Sequence, residues 1–231
     1  MIDESRPARH ARRMAKIQAA QIAVTPFQQN CALIWDAESG KGVVVDPGGD
    51  VPRIAAALDR AGFAVERILL THGHIDHAGG AAELKHLLEA KQGAPVPIEG
   101  PDRRDAFLLS GIAAQAAEYG IPGLDNATPD RWLEEGDTVE IAGQGFDVLH
   151  CPGHTPGHLV FASKTLGFAL VGDVLFRGSI GRTDFPYGDH AALIEAITTK
   201  LFPLGDEVRF LCGHGPGSTI GDERRSNPFL R

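Results

Sequence analysis

The sequence predicts an α/β fold built from mixed sheets covered by helices. Short β-rich runs alternate with helical patterns from Gln21 onward. Four of these runs follow one another closely, so the steady βαβ repeat of a doubly wound parallel sheet is not the pattern. Of the 231 residues, 43% are hydrophobic and 23% charged, the balance of a globular chain. No apolar stretch approaches the ~18 residues of a membrane span. The formal charge of −8 repels phosphate backbones. Neither nucleic acid nor a membrane is therefore expected as a partner.

Residues 1–20, MIDESRPARHARRMAKIQAA, are basic but lack the apolar core of a signal peptide, and they carry Asp3 and Glu4, which a transit peptide avoids. They read as a flexible N-terminal extension, with 21–231 forming one domain. Val43, Val44 and Val45 make a strand that ends in the turn Asp46-Pro47-Gly48-Gly49. Asp50 can cap a helix running to Gly62, with Val51, Ile54 and Leu58 on one face. Ile68 to Leu70 is a buried strand. Ala81, Leu84, Leu87 and Leu88 then mark a second amphipathic helix. Pro101 to about Tyr119 reads as helical, and Ile121 to Arg131 as a loop. Val139–Ile141, Phe146–His150, Leu159–Ala162 and Phe168–Val171 are the four successive strands. A helix from Asp189 to Leu201 and a strand over Val208–Cys212 complete the chain.

Cys31, Cys151 and Cys212 are odd in number and far apart, which predicts a reducing cytoplasm rather than a disulfide framework. Cys151 and Cys212 read as small buried packing residues.

The chemistry is concentrated in Thr71-His72-Gly73-His74-Ile75-Asp76-His77. Histidine accounts for 10 residues, so three at these fixed offsets are expected only about 0.02 times in the chain by chance. The cluster follows a buried strand and precedes a helix. In extended chain His72 and His74 point the same way and can grip one ion, while the turn into the helix swings Asp76 and His77 toward a second position. Histidines also stand just after strands in Cys151-Pro152-Gly153-His154-Thr155-Pro156-Gly157-His158 and Cys212-Gly213-His214, and an aspartate in Gly172-Asp173. Five histidines and two aspartates suffice for two divalent metals.

This set resembles the metallo-β-lactamase fold superfamily, whose hallmark is HxHxDH followed by later His, Asp and His ligands. The resemblance implies a four-layer αββα sandwich of two mixed sheets flanked by helices, with metals at one edge. It implies His72, His74 and His154 at one metal site and Asp76, His77 and His214 at the other. Asp173 would bridge them, and Asp46 would orient the site without binding metal. Asp76 and Asp173 would serve catalysis together with a metal-bridging hydroxide. The metals would be zinc, with iron or manganese as alternatives. His158 would support the ligands from behind, and His10, His86, His150 and His190 would be structural or surface residues.

Within the superfamily, HCPGHTPGH (150–158), GDVLFRGSIGRTDFPYGDH (172–190), GHGPGSTIGDERRSNPF (213–229) and the helical insert at about 101–131 are similar to single-domain, glyoxalase II-like bacterial hydrolases. The chain ends shortly after His214, so the C-terminal helical domain of two-domain glyoxalase II is not expected. The resemblance implies hydrolysis of small acyl thioesters, S-lactoylglutathione or a relative, with Arg182, Phe185 and Tyr187 near the substrate. A thiolate leaves without help from a general acid, which suits such a site. The alternative is a persulfide dioxygenase with one iron. A β-lactamase fits less well, because the well-known class with this motif has cysteine where Asp173 stands.

Overall fold

The computed structural model describes residues 16–231. Residues 1–15 of the expected extension lie outside the described residues. Residues 17–20 do not belong to an extension, because the first strand, β1 (Ile17–Val24), begins at Ile17. It is an edge strand paired antiparallel along its whole length with β2 (Gln29–Asp36). Gln18, Ala19 and Gln21 are exposed, on both faces of the strand, which leaves little apolar period to read.

β1, β2, β3 (Lys41–Val45), β4 (Ala64–Leu69) and β5 (Ile98–Glu99) form the first sheet in that order. β3 and β4 pair in parallel, because α1 (Val51–Ala61) crosses between them. Val51, Ile54 and Leu58 are the buried face of α1, as the spacing predicts. Gly62 ends the helix at φ 70°, with its N–H on Leu58 O. Asp50 does not cap it. Its φ of 52° turns the carboxylate away from the helix, where it accepts from Thr25 N–H at 2.8 Å. An N-cap residue would need extended dihedrals to reach the first-turn N–H groups.

The short α2 (Ile75–Ala78) and α3 (Ala81–Gln92) follow β4. The helical insert holds a 3₁₀ turn at Arg103–Asp105, then α4 (Ala106–Leu109) and α5 (Ile112–Tyr119). The second sheet uses β6 (Thr138–Ile141), β7 (Gln144–His150), β8 (Leu159–Ser163) and β9 (Phe168–Leu170). A two-stranded hairpin, β10 (Leu175–Phe176) and β11 (Ser179–Ile180), stands apart from both sheets. The helix α6 (His190–Ala196) continues as a π-turn over Ile197–Leu201. β12 (Arg209–Leu211) and β13 (Ser218–Thr219) complete the second sheet, and α7 (Ile220–Ser226) closes the chain. Among the described residues no helix is long and apolar enough to cross a membrane.

Period-2 alternation sorts the strand side chains into layers. In β3, Val43 and Val45 face inward between the sheets, while Val44 faces the helices. In β8, Leu159 and Phe161 face inward, while Val160 and Ala162 face the other helical layer. Phe146 and Phe161 anchor the inter-sheet core, each contributing about 1.5–3 kcal/mol through burial. Three apolar layers therefore separate four structural ones, the expected αββα sandwich. β7, β9 and β12 run in one direction, and their carboxyl ends meet those of β3 and β4 at one edge. The loops that leave those ends carry every residue singled out for chemistry except Arg182, Phe185 and Tyr187, which follow the β10–β11 hairpin.

Candidate metal centre

Each of the five candidate ligand imidazoles has one nitrogen facing an oxygen. His72 Nδ1 lies 3.0 Å from Thr71 Oγ1, and that hydroxyl donates onward to Asp46 Oδ2 at 2.6 Å. His154 Nδ1 lies 2.8 Å from Arg182 O. His74 Nε2 lies 2.9 Å from the Tyr187 hydroxyl. A carbonyl can only accept, and the Thr71 hydroxyl spends its hydrogen on Asp46, so the outer nitrogens of His154 and His72 carry the N–H. His72 Nε2, His74 Nδ1 and His154 Nε2 converge, with His74 Nδ1 3.1 Å from the first and 3.0 Å from the other. Burial holds all three rings below the usual histidine range, His74 down to about 3, so they are neutral and able to ligate.

The second group is richer in charge. His77 Nδ1 donates to Asp46 Oδ2 at 3.0 Å, and His214 Nδ1 to Phe27 O at 3.2 Å. Their Nε2 atoms face Asp76, whose Oδ2 is 3.9 Å from His77 and 3.2 Å from His214. Asp76, His77 and His214 offer ligand atoms within 4.8 Å of one another, as do His72, His74 and His154. Burial alone would lower the His77 pKa, but the charges of Asp173 and Asp76 raise it well above its usual value. Burial would likewise lower that of His214, and the hydrogen bond to Asp76 leads the opposing effects that raise it. The field that favours a proton there favours a metal cation equally.

Asp173 stands between the groups. Its Oδ1 is 3.4 Å from His77 Nε2, and its Oδ2 is 3.5 Å from both His154 Nε2 and His214 Nε2. Burial opposes its ionisation, yet His77 beside it holds its carboxyl far below the usual carboxylate range. His77 Nε2 and Asp173 Oδ1 are both buried without a hydrogen-bond partner. Such orphans cost about 1–3 kcal/mol each. A cation between them satisfies both, so the donor set fits divalent metal.

Asp46 lies against both clusters, its carboxylate within 4.8 Å of ring nitrogens of His72 and His77. Its φ of 50° is unusual for a residue with a side chain, and local strain of this kind gathers at functional sites. In return its carboxylate accepts from Thr71 N–H, the Thr71 hydroxyl and His77 Nδ1–H. His158 is fully buried, stacked on His72 at 4.6 Å, and its Nε2 accepts the Asp173 backbone N–H at 3.0 Å. His86 and His190 are exposed, and His150 bonds Pro156 O; His10 lies outside the described residues. All three cysteines are free and buried, with burial raising the Cys151 thiol to about 12 and Cys212 to about 11. Neither is an activated nucleophile.

A cleft of about 450 Å³ opens onto the cluster. Arg182, Phe185 and Tyr187 line it, with the Phe185 ring 5.0 Å from His74 and stacked on Tyr187. Phe27, Gln115, Tyr119 and Phe176 line it too, and no motif marks them in the sequence. Gln115 and Tyr119 are one helical turn apart on α5, the only pattern that could have paired them. A larger groove of about 600 Å³ beside β1 and β12 contains none of the clustered histidines.

The strand ends of both sheets thus present a three-histidine cluster and a His/Asp cluster to one cleft, the arrangement of a metal-dependent protein. The chain belongs to the metallo-beta-lactamase superfamily, whose pattern matches residues 24–214. Hydroxyacylglutathione hydrolase GloC of Haemophilus influenzae is 47% identical over 210 residues, 90% of this chain and 96% of its own length. The crystal structure of TTHA1623 in a di-iron-bound form superposes with a TM-score of 0.79 at 37% identity, over 91% of this chain and 100% of that one. BLEG-1 B3 metallo-beta-lactamase superposes with a TM-score of 0.82 at 32% identity, over 92% and 99% of the two chains. Members of this fold bind divalent metals, and the His/Asp clusters of this chain suit them.

Proposed function

We propose that the protein is a dinuclear metal-dependent thioesterase acting on small acyl thioesters, with S-lactoylglutathione the first candidate. The observation that carries this is Asp173, whose carboxylate oxygens reach both clusters at 3.4–3.5 Å. His72, His74 and His154 would hold one ion, Asp76, His77 and His214 the other, with Asp173 shared. Zinc is the first candidate, with iron or manganese as alternatives, since His/Asp donors accept all three. Two bound ions supply a water acidified toward neutral pH and a polarised substrate carbonyl. The chain supplies the rest. Outward N–H bonds lock the five rings in orientation. The Tyr187 hydroxyl, raised to about 12 by burial, stays protonated. It accepts from His74 and so keeps its own hydrogen for a substrate oxygen. The aromatic walls, Phe185, Tyr187 and Tyr119, pack along the thiol portion. The 47% identity to a hydroxyacylglutathione hydrolase supports this substrate class. Three free, buried cysteines accord with a cytoplasmic setting.

Metal analysis of protein expressed with zinc, iron and manganese should approach two ions per chain. Thiol release from S-lactoylglutathione, oxygen uptake with glutathione persulfide, and ring opening of a β-lactam are then measured on one metal-loaded sample. Thiol release dominating the other two supports the proposal. Oxygen uptake without thiol release overturns it in favour of the dioxygenase, and β-lactam turnover alone in favour of a lactamase.

Arg182 contributes to this reaction through its exposed side chain and, separately, through its backbone. The guanidinium forks onto Asp184 at 2.6 and 2.7 Å and lies 4.4 Å over the Phe185 ring. Arg182→Ala keeps the carbonyl that fixes His154, so metal content should not change. KM should rise about fivefold, near 1 kcal/mol, with kcat little altered. Unchanged kinetics on every active substrate would remove Arg182 from the substrate site.

A further inference from the structure

The helical insert contributes a fully buried carboxylate, Asp105, that the proposed reaction does not use. It lies in the 3₁₀ turn, and its two oxygens together accept three hydrogen bonds from two loops. Oδ2 accepts the Gly73 N–H at 2.9 Å and the Thr155 hydroxyl at 2.7 Å. Oδ1 accepts the Gly157 N–H at 2.5 Å. Gly73 separates His72 from His74, and Thr155 follows His154 directly. The first loop leaves the first sheet after β4, and the second joins β7 to β8 in the other sheet. One side chain therefore ties together, across the two sheets, the loops that bring the three neutral histidines to one point.

The two glycines are shaped to this role. A Cβ on Gly73 would sit 2.8 Å from Leu108 Cβ and 3.2 Å from Asp105 Cβ. One on Gly157 would sit 2.7 Å from Asp105 N and from its Oδ1. Both loops thus press their bare backbone onto the Asp105 turn. A carboxylate is the group that satisfies three donors at once without presenting a hydrogen of its own. Buried and ionised, it makes hydrogen bonds about twice as strong as neutral ones.

We propose that Asp105 is a positioning residue that sets the spacing of His72, His74 and His154, and thereby the metal affinity and ligand geometry of that cluster. This rests on the reading of the three histidines as metal ligands. In the other cluster His77 and His214 are held by Asp46 and by Phe27 O, not by Asp105.

The test uses the full-length protein, Asp105→Ala and Asp105→Asn, each stripped of metal and titrated with Co²⁺. Visible absorption reports ligand geometry, and competition with a chelator reports affinity. Circular dichroism and thermal midpoints identify the folded variants. Wild type should take up Co²⁺ with an intense ligand-field spectrum; if it takes up none, the metal-site reading fails before Asp105 is tested. Asp105→Ala should bind at least about 10-fold more weakly at one site and show a shifted spectrum. Asp105→Asn keeps the volume but turns an N–H toward one of the loop donors, so it should fall between. It also tests the proposal if the alanine variant does not fold. A purely structural Asp105 would lower the thermal midpoint and leave the spectrum and affinity of the folded fraction at wild-type values. That result in either folded variant overturns the proposal. Thr155→Val, which removes one of the three donors from the other side, should give a smaller shift of the same kind; no shift there counts against the clamp.

Discussion

Asp173→Ala should severely impair turnover of every substrate the protein accepts and lower its metal content from about two ions per chain to one or fewer. The side chain is buried, and its backbone N–H is held independently by His158, so the loop keeps its course when the carboxylate is lost. What disappears is the carboxylate that stands between the Nε2 atoms of His77, His154 and His214. His77 Nε2, already without a hydrogen-bond partner, then loses the anion that stabilises it. Outer partners of metal ligands typically cost 10–100-fold when removed. A shared ligand should exceed that, with kcat/KM falling about 1,000-fold, roughly 4 kcal/mol. Asp173→Asn keeps the shape and one oxygen but not the charge, and should retain more metal than alanine. Metal analysis beside steady-state kinetics decides the matter. Two ions and wild-type rates in Asp173→Ala would remove Asp173 from the centre.

The parts of this centre differ in how openly the sequence displays them. His72, His74, Asp76 and His77 are neighbours in sequence and in space, because a strand end running into a helix projects them within a few residues. Their spacing alone announces them. His154, Asp173 and His214 each follow a strand, and any one alone reads as an ordinary structural residue. Only their resemblance to the later ligands of a known family links them to the first four. Asp105 left no trace. Its donors are two backbone N–H groups and a hydroxyl, 32, 50 and 52 residues away. Backbone donors carry no side-chain signature, so nothing in an acid within a helical insert distinguishes a clamp from a solvated charge.

The fold follows the same logic. β3, β4 and the run from β6 to β9 are apolar enough for their period to be visible. β10, β11 and β13 are two residues long, too short to express a period, and tertiary contacts make them. Glu223 on α7 shows how. Its buried carboxylate accepts from Gly178 N–H and Ser218 Oγ, and so ties the β10–β11 turn to β13. The hairpin that leads to Arg182, Phe185 and Tyr187 is thereby fixed from the far end of the chain.

Gly213→Ala should damage the centre nearly as severely as loss of Asp173, with one methyl group and no change of charge. A Cβ at Gly213 would lie 2.0 Å from Asp173 Oδ1 and 2.5 Å from His77 Cε1. The backbone cannot retreat to make room. Gly213 N–H is bonded to Gly172 O at 2.8 Å, and Gly213 O accepts from Asn30 N–H at 2.7 Å, so the residue is stapled to both sheets. His77 is fully buried and held by Asp46, which leaves the Asp173 carboxylate to swing away. The clash should cost about 1–3 kcal/mol in stability, the usual range for an overfilled interior. Far more activity should be lost than that figure implies, because the displaced carboxylate faces both clusters, through Oδ1 on His77 and Oδ2 on His154 and His214. Gly145→Ala in β7 is the matched comparison, since a Cβ there meets nothing within 4 Å; its stability should stay within about 0.5 kcal/mol of wild type and its metal content unchanged. Denaturant unfolding and metal analysis on the two variants separate the effects. If Gly213→Ala retains two ions and full activity, the close approach of Gly213 to Asp173 and His77 is not what shapes the site.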